Sequence, residues 1–204
     1  MLVELDATAL IDEEDVTDQE NVTDYPENEW VPGHDGIVER TAARVVLLDP
    51  DGRLFLIRGH DTADPNHAWW FTVGGGIAPG EDPKQGAVRE LFEETGLEVT
   101  PDRLIGPVLR RTGLFHFIDR TRRQYEKFFV LHVSEAEAEQ VSSWNQDHLT
   151  DLEKDVLDEV RWWELDDLSA LQENGTKVFP RGIGEMAREW FAGWDGTLKI
   201  IEES

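Results

Sequence analysis

Residues 75–97 read GGIAPGEDPKQGAVRELFEETGL, and this stretch contains a helix whose two ends are both marked. Asp82 is a natural N-cap, because its carboxylate accepts hydrogen bonds from the free amide groups of a first helical turn. Pro83 suits the first helical position, where no amide hydrogen is needed. Gly96 suits the left-handed position that follows many helices. The pattern therefore predicts a helix over residues 83–95.

At 100° per residue, this helix has one apolar and one acidic face. The apolar face, expected to pack on the core, holds Ala87, Val88, Leu91 and Phe92, and the acidic face holds Glu90, Glu93 and Glu94 with Arg89 beside them. Carboxylates gathered near a helix C-terminus repel one another and oppose the helix dipole, each effect costing about 0.3 to 1 kcal/mol. A solvated acidic face is one interpretation. The other is a site for a hard divalent cation, which takes oxygen ligands and would relieve the repulsion.

The surrounding pattern favours the cation. The stretch resembles the Nudix box, Gly-x5-Glu-x7-Arg-Glu-aliphatic-x-Glu-Glu-x-Gly-aliphatic, at every defined position, filled here by Gly75, Glu81, Arg89, Glu90, Leu91, Glu93, Glu94, Gly96 and Leu97. Nine specified positions within 23 residues make a chance match improbable, unlike a lone glycine-rich loop. The resemblance implies an α/β fold of the Nudix type, an α/β/α sandwich around a mixed β-sheet. It also implies a hydrolase that uses Mg²⁺ or Mn²⁺.

The resemblance further assigns roles within the box. The implied metal ligands are the carboxylates of Glu90, Glu93 and Glu94 and the main-chain carbonyl of Gly74. The implied catalytic residues are the same three glutamates together with Arg89. Arg89 is expected to orient these carboxylates rather than to contact substrate. A bound cation screens the charge of a diphosphate and acidifies an attacking water, whose proton then passes to a glutamate. That base belongs to the box or to a later segment, where the candidates are Glu126, Glu153 and Glu159.

Four residues outside the box are candidates for substrate binding. Trp69 precedes the glycines and is suited to stacking on a base, although it or Trp70 is expected to pack the core. Arg58, Arg110 and Arg111 stand near the ends of predicted strands, where they can grip phosphate groups, although each is equally suited to an ordinary surface position.

Composition limits the function further. The 204 residues include 44 acidic and 19 basic side chains and carry a net charge of −25, which opposes binding to a nucleic acid polymer or to an anionic membrane. The absence of cysteine excludes disulfides and thiolate chemistry. No apolar run is long enough to span a membrane, and the acidic N-terminus is not typical of a secretion signal. These features predict a cytoplasmic protein.

The chain divides into two parts. Residues 1–36 form an acidic extension, for which partial disorder and contacts within a homodimer are both open alternatives. Residues 37–204 are expected to form one domain with short strands near 42–48, 54–57, 69–73, 104–111, 125–133 and 160–165. The spacing of apolar residues between Ile183 and Trp194 predicts a C-terminal helix that packs against this domain.

These observations predict hydrolysis of the diphosphate linkage in a nucleoside diphosphate joined to a further group X. An ADP-ribose-like compound and a nucleoside triphosphate are both compatible small-molecule substrates. The alternative from another functional class is a Nudix-fold sensor that binds nucleotides without turnover. Retention of three mutually repelling glutamates argues against the sensor, because binding alone does not need them.

Overall fold

The computed structural model describes residues 30–117 and 120–204, so most of the predicted acidic extension lies outside the described residues. This part of the chain contains ten strands and five α-helices. The strands are β1 Val31–Pro32, β2 Val38–Leu48, β3 Leu54–Asp61, β4 Asp64–Phe71, β5 Val73–Gly76, β6 Ile105–His116, β7 Thr121–His132, β8 Leu157–Trp163, β9 Val178–Phe179 and β10 Lys199–Glu203. The helices are α1 Pro83–Thr95, α2 Glu135–Ser142, α3 Asp151–Val156, α4 Leu165–Glu173 and α5 Ile183–Ala192.

The described strands form one mixed sheet with the main order β10-β6-β7-β2-β3-β4-β9. The pairs β2–β7, β6–β10 and β4–β9 are parallel, whereas β6–β7, β3–β4 and β3–β8 are antiparallel. Strands β1 and β5 both add to β2, so β2 is the centre of the sheet. The glycine-rich strand β5 is thereby tied to the most buried strand of the protein.

Each face of the sheet is covered by helices. Alternate residues of β2 and β3 point to opposite faces, as the pleat of a strand requires. On one face, Val46, Leu48, Leu54 and Leu56 pack with residues of α4 and α5, and on the other Val45, Leu47, Phe55 and Ile57 pack with residues of α1 and α2. The predicted α/β/α sandwich is confirmed. The core continues through Trp190 of the C-terminal helix, which is almost fully buried.

Several predicted elements have the observed bounds or nearly so. The helix predicted over residues 83–95 is α1, and the strands predicted near 42–48 and 54–57 lie within the antiparallel strands β2 and β3. The last predicted strand ends at Trp163 rather than at residue 165, because Leu165 already begins α4. None of the helices in the described ranges combines the length and the apolar character that a membrane crossing needs.

Candidate active site

Helix α1 carries the acidic cluster and is capped as its sequence predicts. The Asp82 carboxylate accepts hydrogen bonds from the amides of Lys84 and Gln85 at 2.9 and 3.3 Å. Gly96 closes the helix with φ of 72°, and its amide donates to the Phe92 carbonyl at 2.8 Å. Because both ends are fixed, the carboxylates of the last two turns have a defined direction.

The apolar face of α1 differs from the prediction at one residue. Ala87 and Leu91 are buried in the core and Val88 packs against it. Phe92 is instead 36% exposed, and its ring centroid lies 4.6 Å from that of His148. Phe92 stands at the edge of the apolar stripe, so it reaches the wall of a cleft rather than the core.

Strand β5 lies directly against the acidic cluster. The Gly74 amide donates to Glu94 Oε2 at 2.7 Å, and this contact joins the glycine strand to the last turn of α1. A side chain at Gly75 would overlap the Glu90 carboxylate, and Gly74 has φ of 124°. Glycine is required at both positions, at Gly74 by its backbone conformation and at Gly75 by the approach of Glu90.

Arg89 organises the carboxylates around it. Its Nη1 donates to Glu90 at 2.7 Å and to Glu93 at 3.1 Å. Its Nε and Nη2 donate to Glu81 at 3.1 and 3.2 Å, and Nη2 also donates to the Gly76 carbonyl at 2.9 Å. One guanidinium therefore holds three carboxylates and the end of β5 together.

The three glutamates of the last two turns resist ionisation. Burial raises the pKa of Glu90 to about 7, against the charge of Arg89 and together with the charge of Glu93. Burial also raises the pKa of Glu93, which is partly offset by Arg89. Burial, and then the charge of Glu90, raise the pKa of Glu94 well above its usual value. These raised pKa values mean that the positive charge nearby does not balance the buried negative charge.

This donor set fits a hard divalent cation. The side chains of Glu90, Glu93 and Glu94 supply carboxylate oxygens, which Mg²⁺ and Mn²⁺ prefer, and a dication would favour their ionised forms. In the described ranges, no three acidic or histidine side chains converge on a single point. Instead Glu94 holds Gly74, while Glu90 and Glu93 hold Arg89. The three glutamates stay predicted metal ligands.

The carbonyl of Gly74, also a predicted ligand, has a protein partner. It accepts a hydrogen bond from Arg44 Nη1, a residue of β2. Arg44 Nε in turn donates to Glu126 Oε1 at 3.0 Å, and Glu126 Oε2 accepts from Arg111 Nη1 at 2.6 Å. Arg111 Nε reaches Glu203 of β10 at 2.5 Å. A buried chain of alternating charges therefore connects the glycine strand with the C-terminal strand, and ligation by the Gly74 carbonyl stays a prediction.

The acidic cluster opens into a cavity of about 920 Å³, which we call the carboxylate cleft. Strand β5, helix α1 and residues 148–157, which include α3, all contribute to its lining. Five arginines from three strands and from α1 also line the carboxylate cleft: Arg40, Arg44, Arg89, Arg111 and Arg122. Guanidinium groups bind phosphate oxygens in pairs, so this cleft is suited to a phosphorylated ligand despite the net charge of the chain.

The residues predicted to bind substrate fall into two groups. Trp69 and Arg111 line the carboxylate cleft, whereas Arg58 and Arg110 do not. Arg58 pairs with Asp158 at 2.6 Å, and the Arg110 side chain is exposed on β6. Trp70 is buried against Trp163 with ring centroids 5.0 Å apart, which leaves Trp69 as the one of this adjacent pair that lines the cleft. Arg40, Arg44 and Arg122 also line the cleft and were not predicted from the sequence. Of these, only Arg44 has a local signal, as a charged residue within the apolar run from Ala42 to Leu48.

The three later glutamates also occupy different environments. Glu153 lines the carboxylate cleft and its charge contributes to the raised pKa values of Glu93 and Glu94. Burial raises the pKa of Glu126, but Arg44 and Arg111 outweigh this and hold it below its usual value. Glu159 is exposed on β8, away from the cleft. Glu153 is therefore the one of the three that combines a cleft position with a carboxylate not enclosed by arginines.

A family model describes most of this chain. The NUDIX domain model matches residues 38–181, which include β2 to β9, helix α1 and the whole acidic cluster. The chain belongs to the Nudix family. The Nudix domain thus covers both faces of the sandwich, and residues 182–204, with α5 and β10, follow the matched region.

Two curated relatives of this Nudix chain are named RNA pyrophosphohydrolase. One, from Rhodopseudomonas palustris, is 34% identical over 109 residues, covering 49% of this chain and 64% of the relative. The other, from Sphingopyxis alaskensis, is 37% identical over 92 residues, covering 45% of this chain and 48% of the relative. The matches thus span about half to just under two thirds of these relatives. A solved MutT protein from Methanosarcina mazei is similar at a TM-score of 0.49 and 19% identity, covering 76% of this chain and 94% of that one.

Proposed function

We propose that this chain is a metal-dependent hydrolase that cleaves the diphosphate linkage of a nucleoside diphosphate joined to a further group. The observation that carries the proposal is the cluster of Glu90, Glu93 and Glu94, which lines a cleft together with five arginines. Glu90 and Glu94 are buried, Glu93 is partly exposed, and burial raises the pKa of all three. Glutamates with raised pKa values at the edge of a cleft are typical of functional sites.

We assign different roles in this reaction to different residues of the cleft. Glu90, Glu93 and Glu94 would hold Mg²⁺ or Mn²⁺, which when bound screens the phosphate charge and acidifies water. Arg89 keeps Glu90 and Glu93 in place through hydrogen bonds of 2.7 and 3.1 Å. The other cleft arginines bind phosphate oxygens and neutralise the charge that develops on them.

Glu153 is the residue we propose as proton acceptor. It lines the carboxylate cleft together with the box glutamates and uses only Oε2 in the capping box of α3, where this oxygen accepts from the amide and the hydroxyl of Thr150, both at 2.8 Å. The attacking water forms a bond to phosphorus, its proton passes to Glu153, and the bond to the bridging oxygen breaks. The two products each leave with a phosphate group.

A 5′-triphosphate end of RNA is the second candidate substrate, since both reported relatives are named RNA pyrophosphohydrolase. The net charge of −25 opposes a polymer, because each additional phosphate adds repulsion. A small nucleotide carries less of this penalty. We therefore place an ADP-ribose-like compound or a nucleoside triphosphate first and RNA second.

A panel of substrates tests the proposal. ADP-ribose, the four nucleoside triphosphates and a 5′-triphosphorylated RNA oligomer are incubated with the protein in Mg²⁺, in Mn²⁺ and in EDTA, and phosphate products are quantified. We expect turnover of one class of substrate with metal and no turnover with EDTA. In the Glu93→Gln variant, the rate of this turnover should fall at least about 100-fold. Ligand binding without turnover under either metal would favour the sensor instead.

A further inference from the structure

A second cavity of about 600 Å³ lies beside the carboxylate cleft, and we call it the aromatic pocket. Its walls are β4, the end of β6, residues 172–182 and the end of β10. Four aromatic side chains line it: Trp69, Phe115, Phe117 and Phe179. Each is half-buried, so part of every ring faces the pocket rather than the core. A volume of this size is ordinary for a small-molecule site.

We propose that the aromatic pocket binds the nucleobase of the substrate, so that its phosphates extend into the carboxylate cleft. This inference rests on the proposed function and specifies which part of the nucleotide is recognised. The rings of Phe115 and Phe179 are tilted by 65° with centroids 6.4 Å apart, and those of Trp69 and Phe117 by 66° with centroids 6.1 Å apart. A flat heterocycle has both the ring face and the ring edge that such walls accommodate.

The pocket and the cleft are adjacent and share part of their lining. Trp69, Arg111, Phe115, Phe117 and Phe179 line both. The Arg111 guanidinium lies 5.1 Å from the ring centroid of Phe115 and 5.3 Å from that of Phe179. A ligand with an aromatic end and an anionic end can therefore occupy both cavities at once.

A polar group in the pocket favours a nucleobase over an aliphatic ligand. Lys177 Nζ lies 2.6 Å from His67 Nε2, and His67 Nδ1 lies 3.5 Å from Asp61 Oδ2. A lysine ammonium has three donors, so its contact with His67 leaves two for a ligand. The carbonyl oxygens and ring nitrogens of a base accept such hydrogen bonds. An alkyl chain that covered these two remaining donors would offer them no acceptor, which is unfavourable.

Part of the pocket comes from residues beyond the family match. Glu203 of β10 accepts from Arg111 Nε at 2.5 Å and from the Arg181 amide at 2.7 Å, so β10 closes the pocket next to the aromatic rings. The box glutamates, by contrast, lie within residues 38–181. The aromatic residues of the pocket and Lys177 also lie within residues 38–181, so the segment beyond the match only completes the wall of the pocket.

Binding without metal tests the inference. Calorimetric titration in EDTA compares AMP, GMP, CMP and UMP with ribose 5-phosphate, which lacks a base. We expect at least one nucleotide to bind at least about fivefold more tightly than ribose 5-phosphate, since base stacking on an aromatic side chain has an effect of this size. Equal affinities for ribose 5-phosphate and all four nucleotides would overturn the inference, whatever any variant does.

Two variants locate the base. Phe179→Leu and Lys177→Met should each weaken binding of the preferred nucleotide at least about fivefold and leave the affinity for ribose 5-phosphate unchanged. The matched controls are Phe191→Leu on α5 and Lys154→Met on α3, neither of which lines the aromatic pocket. Melting curves verify that the variants fold. Equal nucleotide affinity in the variants and their controls would overturn the inference.

The two proposals fail separately. If nucleotides bound in EDTA in a way that depends on Phe179, but no metal gave turnover, the proposal for the aromatic pocket would stand and the hydrolase proposal would be wrong. If the protein hydrolysed diphosphates with and without a nucleobase equally well in the presence of metal, the hydrolase proposal would stand and the proposal for the aromatic pocket would be wrong.

Discussion

Arg44 and Glu126, 82 residues apart in the sequence, form a buried ion pair in which Arg44 Nε donates to Glu126 Oε1 at 3.0 Å. The pair lies on the neighbouring parallel strands β2 and β7, and β2 also pairs with the glycine-rich strand β5. Arg44 also donates to the Gly74 carbonyl, so Glu126 acts on the candidate active site through Arg44. Glu126 is thereby a positioning residue rather than a group placed to meet substrate.

Glu126→Gln is expected to destabilise the protein by about 3 kcal/mol. The substitution removes the negative charge between Arg44 and Arg111, and a buried ion left without its partner carries a penalty of this order. Urea unfolding of the variant measures the change. The matched control is Glu159→Gln on the exposed side of β8, for which we expect a change within about 0.5 kcal/mol. Equal stability of both variants would mean that the charge chain is not a source of stability.

Divalent cations are expected to stabilise the fold through the box glutamates. At a Mg²⁺ or Mn²⁺ concentration about 100-fold above Kd, binding to the folded state adds about 2.7 kcal/mol, which appears as a rise in Tm. Glu93→Gln should lose most of this rise, whereas Glu98→Gln, exposed just past the helix, should retain it. A Tm that rises equally in both variants would contradict the assignment of Glu93 as a metal ligand.

Glu153→Gln is expected to lower kcat by about 100-fold or more while KM changes little, because a general base acts on the reacting water and not on binding. Glutamine can still close the capping box with Thr150, so the stability of α3 should be retained. Glu137→Gln is the matched control, since Glu137 occupies the same position in the capping box of α2. Steady-state kinetics with the substrate identified by the panel measure both variants.

A decrease of kcat in Glu137→Gln as large as in Glu153→Gln would refute the role of Glu153 as base. The same conclusion would follow if Glu153→Gln altered only KM, because that result indicates a residue that binds substrate.

Acid is expected to weaken the contact between α2 and the end of the 3-10 turn at residues 101–103. The hydrogen bond from Arg103, at 2.5 Å, lowers the pKa of Glu137 from 4.5 to about 2. A pKa that is lower in the folded state contributes stability that is complete above the unfolded value of 4.5 and is lost as pH falls toward 2. Because both side chains are partly exposed, the contribution is roughly 1 kcal/mol.

The difference in unfolding free energy between wild type and Glu137→Gln should therefore be about 1 kcal/mol at pH 6 and close to zero at pH 2. Urea midpoints across this range measure it, with Glu135→Gln in the same helix turn as control. A difference that stays constant from pH 6 to pH 2 would show that the ion pair is not what is titrated.

Local chemistry made much of this protein predictable. Helix α1 has a capping side chain, a proline and a left-handed glycine at its ends, and these features act through bonds to their immediate neighbours. The positions of Glu90, Glu93 and Glu94 follow from helical periodicity alone. The hairpin between β2 and β3 is likewise set by the turn residues 49–52.

Helices α2 and α3 and strand β10 were not predicted, although α2 and α3 each begin with a capping box, formed by Ser134 with Glu137 and by Thr150 with Glu153. Helix α2 consists mostly of Glu and Ala, α3 has six residues, and β10 is an edge strand of five residues paired in parallel with β6. Parallel pairing joins segments far apart in sequence, so its partner cannot be read from the strand itself. The contribution of β10 to the aromatic pocket could therefore be found only in the folded chain.

The sequence by itself determined the family pattern, the helix that carries it, and the clustering of three glutamates on one face of that helix. Tertiary structure decided which other residues meet them. It enclosed Glu126 between Arg44 and Arg111, turned Glu153 toward the cleft and left Arg58 and Arg110 outside it. The reason is physical: helical and turn geometry act over a few residues, whereas burial and charge pairing depend on which strands become neighbours in the sheet.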